Sequence, residues 1–149
     1  YTYFDGKDAI VQALIQRLLE MVTDTLRVPM PKGLTFRQKV ELLAQRQLTL
    51  AEEWRDGIHA LLAVMWGGSA LPVGINFPTD LHEALVKWVK ANATPKDLGK
   101  KDPFEVAFFH FAVTGAVVTA ALKQKSKAPF LSLLPRLMEL MFQGLGPTK

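Results

Sequence analysis

The chain has 149 residues, of which 49% are hydrophobic and 21% are charged, the balance of an ordinary globular domain. Chains that stay disordered lack this much apolar surface, so intrinsic disorder is not expected. There is no cysteine, which excludes disulfides, thiolate nucleophiles and cysteine-ligated zinc. Lys and Arg outnumber Asp and Glu by 18 to 14, a mild basic bias that does not identify a partner.

The length predicts a single helical domain over residues 1–149. Tyr1 is not a methionine, and the sequence closes with residues that cannot continue a helix, namely Gly144, Gly146 and Pro147. We therefore expect a fragment or ordered core of a longer protein. A chain without cysteine and without an opening signal peptide fits a reducing compartment, so a cytoplasmic location is expected.

In chain order, the first element is an amphipathic helix over about Asp8 to Leu26, whose apolar residues recur at helical spacing. Three capping-box patterns predict further helix starts. Thr35 with Gln38 opens a short helix, Thr49 with Glu52 a longer one, and Asp102 with Glu105 a third.

The remaining segments are predicted from the glycine and proline residues that interrupt helices. Gly67–Pro78 is expected to be the one longer crossover, with a helix from about Asp80 to Asn92 after it. Thr94–Lys101 reads as a polar connection. A last helix starts between Pro129 and Pro135, ends near Gln143 and stops at Gly144.

Val106–Leu122 is the most apolar segment of the sequence. A run of this kind is either a membrane span or a helix whose every face is covered by other helices. The amphipathic helices around it need an apolar partner, which favours the second interpretation, and Ala112, Ala116 and Ala120 would let neighbours approach closely. We predict an all-α bundle of about six helices packed around this central apolar helix, with no membrane partner.

The residues needed for catalysis are not arranged in any known pattern. No serine lies in a nucleophile elbow, and His82–Glu83 lacks the second histidine of a zinc-protease helix, since Val86 stands there. His59, His82 and His110 have no ligand spacing. The chain is therefore expected not to be an enzyme, with no catalytic residue, cofactor, metal site or small-molecule substrate.

His110 is the one histidine that falls on an apolar helix, where an unpaired ring costs about 1–3 kcal/mol. Two interpretations stay open. It is either a hydrogen-bonded core residue or part of a pocket for an apolar ligand, which would be lined by Phe108, Phe109, Phe111 and Trp side chains.

Nucleic-acid binding is the alternative function. Residues Leu34–Ala44 resemble the first helix of a helix-turn-helix, and Glu52–Ile58 would be its reading helix, but that helix offers carboxylates to the phosphates. A sequence-independent contact would instead use basic side chains on phosphates. Its candidates are Lys123, Lys125 and Lys127, with Arg37, Lys39 and Arg46.

The last helix supports the leading hypothesis. It carries more apolar residues than one packed face requires, and Met suits adaptable contact surfaces. An amphipathic helix of this kind can dock in a groove of another chain. We expect a non-enzymatic interaction or assembly domain that binds a protein partner or a second copy of itself. Its predicted contact residues are Phe130, Leu134, Leu137, Met138 and Met141.

Overall fold

The computed structural model describes residues 6–59 and 77–144. Their helices are α1 (Lys7–Arg27), α2 (Phe36–Glu53), α3 (Phe77–Asn92), the one-turn α4 (Pro95–Leu98), α5 (Pro103–Lys123) and α6 (Leu134–Gln143), and a 3-10 turn at Phe130–Leu133 precedes α6. Residues 55–59 are helical again after a break at Trp54. The two described ranges hold no strand, which confirms the all-α class.

Local sequence signals explain where several helices begin. Thr35 and Gln38 form the predicted capping box at α2, and Asp102 and Glu105 form the predicted one at α5, with Pro103 at its first position. Each such cap satisfies free amides of the first turn and stabilises the helix by about 1 kcal/mol. At the far end of α6, Gly144 takes a positive φ of 74°, as expected for a helix stop.

The predicted capping box at Thr49 is wrong. Thr49 lies inside α2, where its hydroxyl donates to the carbonyl of Gln45 at 2.8 Å, so α2 runs through to Glu53 as one helix. This continuity also removes the turn that a helix-turn-helix needs after Ala44. Threonine can bond back to its own helix as readily as it caps a new one, and the pattern alone does not separate the two.

Two other boundaries differ from the predictions. The expected polar connection at Thr94–Lys101 contains α4, because Thr94 and Asp97 form a further capping box. Helix α3 begins at Phe77, slightly earlier than expected. The predicted crossover therefore ends before Pro78, and its residues up to 76 lie outside the described part of the chain.

The five longer helices form a closed series of packed pairs. α1 contacts α2, α2 contacts α6, α6 contacts α5, α5 contacts α3, and α3 contacts α1. The core lies between them, and every one of these five helices contributes buried side chains to it. Its most enclosed large members are Phe130, Ile15, Leu18, Leu43, Leu48, Leu85 and Leu137.

The predicted apolar helix is present as α5, and it lies between α3 and α6. Its buried residues are Ala107, His110, Val118 and Ala121, which all belong to one side. The expectation that neighbours cover every face is therefore met only on that side. α5 is the one described helix long and apolar enough to cross a membrane, and 28% of its most apolar 18-residue window is buried.

An ion pair at the end of α2 holds the loop between α5 and α6. The Nε and Nη2 of Arg55 donate to both carboxylate oxygens of Glu52 at 2.6 and 3.1 Å. The same guanidinium donates to the carbonyls of Ser126 at 3.1 Å and Ala128 at 2.7 Å, and it lies 3.9 Å from the ring centroid of Phe130.

The ion pair also shifts the pKa values of its two members. Hydrogen bonds from Arg55 and from the backbone amide of Phe130 lower the pKa of Glu52, and the bonds to Glu52 raise the pKa of Arg55. Both groups therefore stay charged near neutral pH. We call this arrangement the Arg55 clamp, because it fixes the start of α6 against the end of α2.

Candidate functional site

The strongest surface feature of the described residues is the side of α5 that faces away from the core. Phe104, Phe108 and Phe109 stand there with 58%, 57% and 48% of their surface exposed. Farther along the same side, the exposed residues are all small: Ala112, Gly115, Ala116 and Ala120. These seven residues, together with Glu105 and Lys123 at the two ends, are called the outer face.

The outer face follows the helix geometry closely. Phe104, Phe108, Ala112, Ala116 and Ala120 are spaced four residues apart, so they form one row along the helix. Bulky rings occupy the amino-terminal half of the row and methyl groups the carboxyl-terminal half. The result is a continuous apolar strip with a ridge at one end and a shallow groove at the other.

His82 of α3 supports the ridge. Its ring meets those of Phe104 and Phe108 edge-on, with centroid distances of 4.3 and 5.5 Å. Its Nε2 lies 3.2 Å from the carbonyl oxygen of Phe104, so that nitrogen carries the hydrogen and donates it. The phenylalanines are thus held in place from one side while their other sides face solvent.

The middle of the outer face has unused space. A methyl group added at Gly115 would meet nothing within 4 Å. Glycine inside a helix costs roughly 0.5–1 kcal/mol relative to alanine, and packing within the monomer gives no reason for it here. Small residues at such a position are typical of helices that a second backbone approaches closely.

The predicted contact residues of the last helix lie elsewhere. Phe130 and Leu137 are fully buried and Met138 is 5% exposed, while Leu134 and Met141 pack against the core. This chain's own core takes up the apolar surplus that suggested a partner, because α6 packs against both α2 and α5. The five predicted contact residues are therefore not exposed on the described surface.

The basic residues of the nucleic-acid alternative are not brought together. Lys123, Lys125 and Lys127 are exposed at the loop that the Arg55 clamp joins to the end of α2. Arg37 and Lys39 lie at the other end of α2, which has 18 residues and is therefore about 27 Å long. The three α2 cations also have other partners. Arg37 covers the ring of Phe142, Lys39 donates to the carbonyl of Asn92, and Arg46 donates to that of Val28.

His110 is a hydrogen-bonded core residue, the first of the two interpretations that the sequence left open, and it also lines a cavity. Its Nε2 lies 2.8 Å from the side-chain oxygen of Gln47 on α2, and only 8% of the residue is exposed. Burial lowers the pKa of His110 to about 4, since the charged ring would lose its water. The imidazole is therefore neutral at pH 7.

A cavity of about 230 Å³ lies beside His110, lined also by Phe36, Leu43, Trp88 and Met141. The predicted tryptophan lining is present, but the predicted phenylalanine lining is wrong. Phe108 and Phe109 are on the outer face, and Phe111 packs against the core without lining the cavity. A space of this size with mostly apolar walls can hold a small apolar molecule, and its lining also includes the polar side chains of Asp97 and Lys101.

Residues 6–59 and 77–144 contain no candidate metal site. No group of His, Asp and Glu in those ranges is placed to hold a metal ion. His59 is exposed. Thr114 and Thr119 each have a buried hydroxyl oxygen without a hydrogen-bond partner, on the flanks of α5.

Sequence reasoning identified the alanine repeat of α5 but assigned it to contacts inside the bundle. The signal for an outer face was that Phe104 and Phe108 fall in the same four-residue row as those alanines. The Arg55 clamp was missed, and only its Glu52 to Arg55 spacing could have suggested it. The chain matches no family model, no curated protein and no solved structure.

Proposed function

We propose that this chain is a non-enzymatic helical assembly domain whose contact surface is the outer face of α5. The observation that carries the proposal is the row of exposed phenylalanines and small residues on an otherwise packed helix. Contiguous exposed apolar patches are uncommon on monomeric soluble proteins and commonly mark interaction sites. The proposed contact surface therefore lies on α5, whereas the sequence had predicted it on the last helix.

The composition of the outer face supports a protein partner over a small ligand. A strip along a helix is convex, whereas small molecules bind in concave pockets. Exposed aromatic side chains that are held in place, as His82 holds Phe104 and Phe108, lose little conformational freedom on binding and make effective anchors. Helix faces of this kind pack against another helix.

The test replaces Phe108 with serine and follows complex formation in native cell extract by size-exclusion chromatography. We expect the wild-type chain to elute in a complex and Phe108→Ser to elute later. Leu131→Ser is the matched control, because Leu131 is a comparably exposed apolar residue, at 42%, on the 3-10 turn outside the outer face. Elution of the wild-type chain at its own mass would contradict the proposal.

Sequence-independent binding of nucleic acid is the second candidate, and it now rests on Lys123, Lys125 and Lys127. Lysines placed this closely can contact neighbouring phosphates. If they do, the chain shifts mixed RNA and DNA in a gel at about 50 mM salt, and replacing all three by glutamine lowers the salt dependence of binding. The absence of a shift would remove this candidate.

A further inference from the structure

We propose that the occupant of the outer face is the outer face of a second copy of this chain, with the two α5 helices antiparallel and Glu105 of each facing Lys123 of the other. This inference rests on the proposed assembly function and names its partner. A two-fold axis would pass close to Gly115, so every contact would occur twice, as in other isologous dimers.

The sizes of the side chains fit this register. When residue 105 faces residue 123, residue 108 faces residue 120 and residue 112 faces residue 116. Phe108 then lies over Ala120 of the other copy, and Ala112 over Ala116. The ridge of each helix enters the groove of the other, and the small residues at the centre allow the backbones to approach closely.

The charges select the same register. Glu105 and Lys123 are exposed at opposite ends of the outer face. An antiparallel pair brings opposite signs together at both ends, whereas a parallel pair would place Glu105 against Glu105. Exposed ion pairs contribute little to affinity, so the charges set the orientation and the apolar strip supplies most of the affinity.

Other charged residues lie near the two ends of the outer face. Asp102 precedes Glu105 and adds to the negative end, while Lys125 and Lys127 extend the positive end. Lys101 lines the cavity beside His110 and so belongs to another side of the domain. Lys100 is exposed in the loop before α5 and reduces the negative charge of that end without reversing the sign at Glu105.

A second copy fits this surface better than a bilayer does. Insertion of α5 as a span would expose its whole circumference to lipid. Ala107, Val118 and Ala121 are buried in the bundle, and His110 ties α5 to Gln47 of α2. Only one strip of the helix is free, and that strip ends in charged residues that find partners on the second copy.

The first experiment prevents the backbones of the two α5 helices from approaching each other closely. Gly115→Leu fills the open space at the centre of the outer face, and the monomer is expected to keep its fold because nothing lies within 4 Å of the added Cβ. Sedimentation equilibrium of the full chain is expected to give a dimer with a dissociation constant on the order of 10 µM, since one helix pair is a small interface. Gly115→Leu is expected to weaken it by about tenfold or more.

The control for this variant adds the same side chain elsewhere. Glu41→Leu places a leucine on an exposed position of α2 and is expected to dimerise as the wild type does. A thermal melt of each variant shows that the fold is kept. Equal weakening by both leucines, or no effect of Gly115→Leu, would overturn the proposed contact.

The second experiment tests the antiparallel register of the two α5 helices. Glu105→Lys alone and Lys123→Glu alone each place like charges together at both ends, so each is expected to dimerise less than the wild type. Glu105→Lys also removes the bond from the Asp102 amide in the capping box, so a thermal melt checks that this variant keeps its fold. An equimolar mixture restores both ion pairs, and the mixed dimer is expected to form. If the single variants dimerise as the wild type does, the antiparallel register is refuted.

The outcomes separate the two proposals. A purified chain that stays monomeric at high concentration, but elutes in a complex in extract that Phe108→Ser disrupts, would refute self-pairing and keep the assembly function. A chain that is monomeric in both settings would refute both. Flotation of the wild-type chain with neutral phosphatidylcholine vesicles, lost in Phe108→Ser, would assign the outer face to a bilayer instead.

Discussion

The buried histidine predicts a loss of stability in mild acid. In the unfolded chain His110 has the ordinary histidine pKa of 6.5, and in the fold burial lowers that pKa to about 4. As the pH falls below 6.5 the unfolded chain binds a proton at this site and the folded chain does not. The stability is therefore fully present above pH 6.5 and is lost progressively until about pH 4.

The size of the effect follows from the pKa difference. Each pH unit between the two pKa values removes about 1.4 kcal/mol. At pH 5, about 1.5 units below the unfolded value, the folded state is expected to have lost about 2 kcal/mol. That is a large share of the roughly 5–15 kcal/mol by which domains are stable. The protonated ring would also need a partner better than the Gln47 carboxamide.

The assay is urea unfolding at pH 7.5 and at pH 5, followed by circular dichroism. The wild-type midpoint is expected to fall by about 1 M. His110→Gln removes the titrating group and is expected to remove most of that fall, whereas His59→Gln changes an exposed ring and is expected to keep it. A wild-type midpoint that does not move, or a pH dependence unchanged in His110→Gln, would refute the reasoning.

Four further predictions test the fold. Arg55→Ala removes the Arg55 clamp and is expected to lower the unfolding free energy by about 2 kcal/mol. Its control is Arg17→Ala, whose side chain is 61% exposed and whose unfolding free energy is expected to stay within about 0.5 kcal/mol of the wild type. Equal losses of unfolding free energy for the two variants in urea would contradict the clamp. Leu137→Ala opens the core and is expected to cost about 2–5 kcal/mol, against less than about 1 kcal/mol for the exposed Leu131→Ala. Gly115→Ala is expected to raise the melting temperature of the monomer by stiffening α5, a gain of about 0.5–1 kcal/mol; a lower melting temperature would show that the space is not open. Lys125→Gly is expected to stabilise the end of α5 by about 1 kcal/mol in the same melts, because Lys125 holds a φ of 55° that glycine adopts without strain.

The sequence was most informative where local chemistry decides the structure. The helical periodicity of α1, the capping boxes at Thr35 and Asp102 and the stop at Gly144 each depend on residues within one or two turns. Thr49 shows the limit of that kind of evidence, because the same hydroxyl can cap a helix or bond back to it. The role of the Thr49 hydroxyl cannot be predicted without knowing whether α2 continues through Thr49.

The site was harder to predict because burial depends on packing between distant segments. The apolar surplus of the last helix and that of α5 look alike in sequence, and either could have faced solvent. The structure buries Phe130 and Leu137 and leaves Phe104 and Phe108 exposed. That choice follows from contacts of α6 with α2 and α5, which no local pattern shows. Similarly, only the fold brings Arg55 to the carbonyls of Ser126 and Ala128.

The Arg55 clamp has a consequence for limited proteolysis. The exposed Lys123 and Lys125 are expected cleavage sites for trypsin. The guanidinium of Arg55 binds the chain just beyond Lys125, at the carbonyls of Ser126 and Ala128. A cut after Lys125 leaves the carboxyl-terminal piece attached through Arg55 and through the buried ring of Phe130. We therefore expect nicked protein to migrate as one species in native gels and as two peptides once denatured, which would make the domain suitable for reconstitution from separate fragments.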